Sequence, residues 1–455
     1  MDRHLSEYYR LPADWKCGLS YEKSGARPGF FKFGEESICY GVCGAGHLAS
    51  TASGHLYDAI ADVRTDSGIV HLPFDPAEII DNLRNEHYTK FGNSDGNTVV
   101  GSAPVKKAYY SIRKFLPVMI RRHFQKIYFS GWKDLPFPKW PVDFTVDILH
   151  ERFLHLAMEA QGINRVPFIW FWPDGAPNCL VMTHDVETSA GRDFSPQLMD
   201  LDDAFGIKSS FQVVPEERYH VPDTFALEVR ARGFEFNIHD LNHDGTLYRD
   251  RAQFLRRAAK INEYAHKYCS SGFRAGSMYR NQDWFDAYEF SYDMSVPNVA
   301  HLEPQRGGCC TVMPYFIGKI LEFPLTVSQD YSLFHILKDY SMDLWIKQIH
   351  LIRKRNGLMS FITHPDYLIE QRARKLYETL LAYLREYTDR ERIWVALPGE
   401  VDRWWKNRQE MKLVRENGSW KIEGPDQARA RVAYANLENG HIVYSLDSNH
   451  QGIHE

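Results

Sequence analysis

The stretch "VMTHDVETSAG", residues 181–191, decides the fold. Val181, Met182 and Thr183 read as a buried strand that runs directly into His184, Asp185 and Glu187. Burying ionisable groups costs free energy unless they are partnered, so a core strand has no reason of its own to end this way. A βα unit does: in parallel βα barrels the active site is built at the C-terminal strand ends. In an extended chain Asp185 and Glu187 point to the same side, and His184 points the other way, into packing.

The pattern repeats along the chain. From about residue 166, short β-branched or aromatic runs alternate with amphipathic helical stretches, the rhythm of βα units around a parallel sheet. The candidate strands are "CLVMT", "SSFQVV", "FEFNI", "GFRA", "KILEF", "LMSFIT" and "IWVAL". Between them, 250–268 places Phe254, Ala258, Ile261 and Ala265 on one helical face. A second helix is expected over about 342–355, stopping at "RNG", with Gly357 in the left-handed position past its end. Seven or eight strands alternating with helices favour a barrel over an open sheet, and no dinucleotide fingerprint argues otherwise.

Four of these strands finish in polar residues: Asp185, His239 after "FEFNI", Arg274 after "SSGF" and His364 after "MSFIT". In "NIHDLNHDG" (237–245), His239 and His243 are four apart, a spacing that puts both imidazoles on one side of a helical turn. Two neutral histidines and a carboxylate form a common donor set for a divalent ion, with positions left open for water and substrate. Of Asp185 and Glu187, one can bind the ion while the other serves as base.

The flanks read differently. "GVCGAGH" (41–47) lacks the lysine of a phosphate loop, and Cys39, Cys43 and His47 make a weak metal set without a second pair. Residues 96–133 contain no Asp or Glu, and Lys106, Lys107, Arg113, Lys114, Arg121, Arg122 and Lys126 interleave with aromatic and aliphatic side chains. This basic segment, 106–126, reads first as a solvated helical face, and alternatively as a contact for an anionic membrane surface or a phosphate-linked carrier. The prolines of "LPFPKWPVDF" (135–144) suggest a linker or an ordered strap. Near the C-terminus, "RENGSW" and "LENGHI" each place Asn-Gly between alternating segments, a strong hairpin signal. Trp420, Tyr434 and Tyr444 on these hairpins are expected to pack, with sugar stacking as the other role.

Composition narrows the class. With 44% hydrophobic and 25% charged residues and a net charge of −5, the chain has the make-up of a globular protein and no overall attraction for nucleic acid. No run reaches the roughly 18 apolar residues of a membrane span. The start lacks a secretory core, and seven scattered cysteines argue for a reducing compartment. A cytoplasmic protein, peripheral to the membrane at most, is the expectation.

Taken in order, the motifs resemble those of the polysaccharide deacetylases, the NodB-homology group of carbohydrate esterase family four. "THDVE" resembles the family's T-F-D-D, "HDLNH" its H-[S/T]-x-x-H, "GFRAGSMY" its R-x-P-Y-like strand end, and "LMSFITHPD" its final strand ending in His. The resemblance spans about 170–408 and lies in the combination. It implies a distorted (β/α)7-type barrel, a single divalent metal ion (zinc first, with cobalt or nickel as alternatives) and removal of N- or O-acetyl groups from a sugar. It also implies roles. His239 and His243 would be metal ligands, Asp185 the general base, Arg274 the residue orienting that base and His364 the general acid.

There are departures. The family's second Asp falls on Val186, so its metal-binding role passes to Glu187, with Asp185 as the alternative ligand. The D-x-x-D-W motif is absent, and 292–298 ("YDMSVPN") or Glu322 lie where a replacement is expected. Asp366 would keep His364 protonated or cap the next helix. Together with Glu322 and Tyr279 it lies where substrate contacts are expected.

The α/β architecture expected is thus an N-terminal α/β extension (1–165), the barrel (166–408) and a small β appendix (409–455). The activity expected is metal-dependent N-deacetylation of a sugar or glycan precursor. The alternatives are a catalytically inactive glycan-binding or scaffolding barrel, and hydrolysis of a non-sugar amide.

Overall fold

A computed structural model describes residues 3–22, 27–91 and 128–447. The basic segment 106–126 lies outside them. From Cys179 onward the described chain runs β1 (Cys179–Val186), α1 (Ser189–Ala204), β2 (Ser209–Val213), α2 (Asp223–Ala231) and β3 (Glu235–His239). It continues through α3 (Arg251–Lys267), β4 (Gly272–Arg274), β5 (Tyr292–Asp293), β6 (Tyr315–Ile317) and β7 (Ile320–Glu322). The last elements are α4 (Asp343–Arg353), β8 (Leu358–Thr363), α5 (Gln371–Glu391), β9 (Trp394–Val395) and α6 (Pro398–Glu410). All seven runs read from the sequence are strands.

The strands form one sheet in the order β6-β7-β5-β4-β3-β2-β1-β8, with β9 also paired to the start of β1. Only β6 runs antiparallel, to β7. Beyond β7 the chain turns back to β8: Val327 N–H donates to Ser360 O (3.3 Å) and Thr326 Oγ1 to Leu358 O (2.7 Å). The parallel strands β7, β5, β4, β3, β2, β1 and β8 thereby curl into a (β/α)7-type barrel. Its distortion comes from β4 to β7, where the 3₁₀ turns Gly276–Met278 and Gln282–Ala287 replace a helix. The two-residue β5 is too short to carry a period, so only the structure reveals it.

The strand period sorts β1 into two faces. Leu180, Met182 and Val186 join an apolar layer with Leu198 of α1, Phe254 of α3 and Leu380 of α5. Thr183 and Asp185 take the opposite, interior face and reach Arg274. His184 turns away from that interior, pairing through Nδ1 with Thr363 Oγ1 (2.8 Å) and through Nε2 with Asp202 Oδ2 (2.9 Å). Val186 therefore packs behind the sheet.

Helix ends follow local chemistry, with one correction. Asp250 caps α3 by accepting Gln253 N–H (2.8 Å), and the face carrying Phe254, Ala258, Ile261 and Ala265 is buried. After α4, Asn356 rather than Gly357 is left-handed (φ 53°). Asparagine tolerates that conformation, and its side chain donates to Pro177 O (3.0 Å). Gly357 is needed for space: a Cβ there would lie 2.5 Å from Val312 Cγ2.

The N-terminal residues build a three-stranded sheet (Leu19–Tyr21, Arg64–Asp66, Ile69–Leu72), the hairpin Gly29–Lys32/Ile38–Gly41, and the helices Arg3–Tyr9, Pro76–Arg84 and Thr145–Gln161. The strap 135–144 is ordered, and Pro141 O accepts Gln348 Nε2 of α4 (3.1 Å). Both Asn-Gly pairs are left-handed hairpin turns. The hairpin Lys412–Glu416/Ser419–Glu423 stands as a two-stranded ribbon. Its neighbour Val432–Glu438/His441–Leu446 pairs with Arg165–Ile169 and shares one apolar core with the N-terminal residues. Tyr444 is hydrogen-bonded to Tyr9 (2.7 Å), and Arg165 lies 3.5 Å over the Tyr434 ring, so both aromatics pack. No helix among the described residues is long and apolar enough to cross a membrane.

Candidate active site

The ends of β1, β3, β4 and β8 meet at one rim. Arg274, adjacent to His239 in the ladder, reaches across the barrel interior. Its Nη1 donates to Asp185 Oδ1 (2.6 Å) and Thr183 Oγ1 (2.8 Å), and its Nε to Met294 O (3.1 Å). A buried guanidinium is stable only when paired in this way. Burial by itself would raise the Asp185 pKa, but Arg274, His239 and His364 outweigh it and hold the pKa below its ordinary value. Asp185 is ionised.

Glu187, His239 and His243 each bring one donor atom into a group spanning no more than 4.8 Å, the only such group among the described residues. Glu187 Oε1 lies 3.0 Å from His243 Nε2 and 4.0 Å from His239 Nε2, and Asp185 Oδ2 is 3.7 Å from His239 Nε2. His239 Nδ1 faces Arg274 O at 3.1 Å. A carbonyl only accepts, so the proton sits on Nδ1 and the Nε2 lone pair points at the carboxylates. His239 Nε2 and His243 Nε2 are buried without an aligned hydrogen-bond partner. Two orphaned imidazole nitrogens and a carboxylate fit a divalent ion of zinc type. Burial would raise Glu187, but His243, His239 and His364 hold it well below its ordinary pKa.

The two histidines do not share a helical turn, contrary to their spacing. His239 ends β3, and the following loop places Asp240 (φ 58°) and His243 (φ 53°) in the left-handed region, bringing the rings to 4.8 Å. Gly276 permits this, because a Cβ there would collide with the Asp240 carboxylate and press on the His243 ring.

His364 follows β8. Its Nε2 lies 3.7 Å from Glu187 Oε1 and its Nδ1 2.6 Å from Asp330 Oδ1, while its own N–H donates to Asp330 Oδ2 (2.7 Å). Burial would lower its pKa, but Asp330, Glu187 and Asp185 raise it to about 10. The partner is therefore Asp330, not Asp366. Asp330 followed by Tyr331 keeps the acid–aromatic order that closes D-x-x-D-W, a signal "SQDYS" carried and the sequence reading missed.

The remaining candidates fall in different places. Asp366 accepts Glu187 N–H (3.0 Å) and the Thr188 hydroxyl. Glu322 is fully buried beside Asp293 and accepts Val296 N–H (2.9 Å); burial and Asp293 push its pKa up. Tyr279 is half-buried on the turn after Gly276, and its N–H donates to Gly276 O (3.3 Å). The Ala275 N–H, next to Arg274, donates to Ser295 Oγ (2.8 Å). Cys39 and Cys43 are buried thiols raised by burial, and His47 is exposed, so they form no cluster.

No family model and no curated protein matches the chain. Solved structures do. A protein from Mycobacterium smegmatis named as a polysaccharide deacetylase is 18% identical, with 55% of this chain and 98% of that chain covered and a TM-score of 0.41. One from Bordetella bronchiseptica, named as a polysaccharide deacetylase involved in O-antigen biosynthesis, is 16% identical, with 51% and 86% covered and a TM-score of 0.32. A CE4-family pseudoenzyme from Bacillus anthracis is 12% identical, with 50% and 65% covered and a TM-score of 0.32. Two of these three structures are named as polysaccharide deacetylases and the third as a CE4-family pseudoenzyme, and the likeness of this chain to them is one of fold.

Proposed function

We propose that the protein is a metal-dependent hydrolase that removes the acetyl group from an N-acetylated sugar or glycan precursor, with residues 166–408 as its catalytic unit. The observation that carries this reading is the convergence of the Glu187–His239–His243 donor set with two hydrogen-bonded pairs of opposite task, Asp185–Arg274 and His364–Asp330.

Glu187, His239 and His243 would hold the ion. When bound, a divalent ion supplies Lewis acidity to the acetyl carbonyl and lowers the pKa of a water. Asp185 is the base: Arg274 occupies Oδ1, which leaves Oδ2 to take the proton of that water as its oxygen adds to the carbonyl carbon. His364 is the acid. With Nδ1 committed to Asp330, Nε2 gives its proton to the sugar nitrogen as the C–N bond breaks, so acetate and a free amine leave. Arg274 keeps the base charged and aimed, and Asp330 keeps the acid protonated.

Val186, standing where the family has its second carboxylate, favours one other reading, a glycan-binding barrel without catalysis. Metal content separates the two. Elemental analysis of the full chain should find about one equivalent of zinc, cobalt or nickel in wild type and loss of it in His239→Ala. No metal in either protein after soaking with those ions would leave the non-catalytic reading in possession.

A further inference from the structure

Glu187 must present a carboxylate beside two imidazoles from a position past the end of the ladder, since β1 last pairs with β2 at Val186, opposite Val213. Three side chains hold the backbone at that point. Tyr219 OH donates to Val186 O (2.6 Å), Arg218 Nε donates to Glu187 O (3.1 Å), and Asp366 Oδ2 accepts Glu187 N–H (3.0 Å). Both polar groups of the Glu187 backbone are thus tied to side chains from the units on either side of β1. Arg218 Nη2 also lies 3.9 Å from Glu187 Oε2. Asp366 Oδ1 accepts the hydroxyl of Thr188, which itself caps α1 by accepting Gly191 N–H (3.3 Å). Gly191 leaves the room, since a Cβ there would strike the Asp366 carboxylate.

We infer that Asp366, aided by Arg218 and Tyr219, is a positioning residue that makes Glu187 a competent metal ligand at a site where position 186 offers none. The inference rests on the metal-site reading above. Two physical points carry it. A glutamate has one more rotatable bond than an aspartate, so an unsupported Glu187 loses more rotamer freedom when it binds an ion. Hydrogen-bond partners that orient ligating residues are worth roughly tenfold to a hundredfold in metal affinity. Asp366 stands two residues beyond His364, so one short segment after β8 places the proposed acid and steadies the proposed ligand. Its two carboxylate oxygens are engaged by the Glu187 N–H and the Thr188 hydroxyl.

The test is zinc affinity of the full-length protein, measured by competition with a chromophoric chelator, beside the melting temperature of the metal-free protein. Asp366→Ala should bind zinc roughly tenfold to a hundredfold more weakly. Asp366→Asn, which keeps an oxygen for the Glu187 N–H, should lose less. Thr188→Val removes the cap and the hydroxyl contact but not the Glu187 bond, so it should lower the melting temperature and leave zinc affinity within about threefold. Should Asp366→Ala not fold, Arg218→Ala, at a partly exposed site, should show the same loss of affinity. Unchanged zinc affinity in a folded Asp366→Ala or Arg218→Ala, whatever the melting temperature, overturns the inference. Wild type without zinc overturns the metal-site reading, and the inference with it, before any variant is made.

Discussion

Asp185 and His364 are both buried, and their neighbours drive them to opposite states: an arginine keeps the proposed base, Asp185, ionised, and an aspartate keeps the proposed acid, His364, protonated. That division is what hydrolysis of an amide needs at one pH, a proton acceptor and a proton donor ready together. Asp185→Asn should therefore keep its metal and lose roughly 10²–10⁴ of the rate of acetate release from an N-acetylated oligosaccharide. Asp330→Asn, at a residue that hydrogen-bonds His364 Nδ1, should lose roughly 10² through His364. Equal rates in Asp330→Asn and wild type would detach Asp330 from the reaction. Asp185, His239, Arg274 and His364 were legible as strand ends, because position at a strand's C-terminus is a local property, and Glu187 and His243 by their spacing to the first two. Asp330 was not. It meets His364 from 34 residues away, whereas Asp366 is the acid that proximity in sequence suggests.

At the scale of elements, regular periods were readable and irregular backbone was not. The seven strands and α3 declare themselves by spacing, but the left-handed turn at Asp240 and His243, the two-residue β5 and the exchange of roles between Asn356 and Gly357 follow from packing that no local pattern records. The connection from β5 to β7 holds another such feature, the buried carboxyl of Glu303, which accepts Gln329 Nε2 on both oxygens (2.8 and 2.7 Å). Burial lifts its pKa to about 7, against the opposing pull of Gln329, Arg280, His364 and Ser332. An acid raised in the folded state binds more protons folded than unfolded, so stability falls as pH rises through that interval. From about pH 4.5 to 7, Glu303 should thus remove up to about 3 kcal/mol. Urea unfolding of wild type and Glu303→Gln across that range checks it. The wild type should lose stability relative to the variant as pH rises, and a constant difference would show that Glu303 does not titrate there.

At the scale of the whole molecule, the N-terminal residues are built into the barrel. Glu86, left-handed (φ 56°) and buried just past the helix Pro76–Arg84, pairs with Arg280, whose side chain has no exposure. Arg280 Nε donates to Glu86 Oε2 (2.6 Å), its Nη1 donates to Met278 O (2.8 Å), and Gly308 N–H donates to Glu86 Oε1 (2.6 Å). One carboxylate thus joins the turn that packs on His243 to the loop carrying Glu303. Tyr88 OH adds a bond to Gly308 O (2.6 Å), and Gln282 Nε2 one to Arg84 O (2.9 Å). None of this was legible, because the pair lies 194 residues apart and the first 165 residues show no period that would announce their partners. The ion pair gives the prediction for this scale. Removing one member of a buried pair leaves an uncompensated charge, so Glu86→Ala should cost about 3–5 kcal/mol in urea unfolding. Adding Arg280→Met should recover most of that loss, since it removes the stranded charge and fills its space with an apolar chain. A single-variant cost under about 1 kcal/mol would mean that the pair is not a buried clamp. Failure of the double variant to recover would place the loss in the hydrogen bonds to Met278 and Gly308 instead.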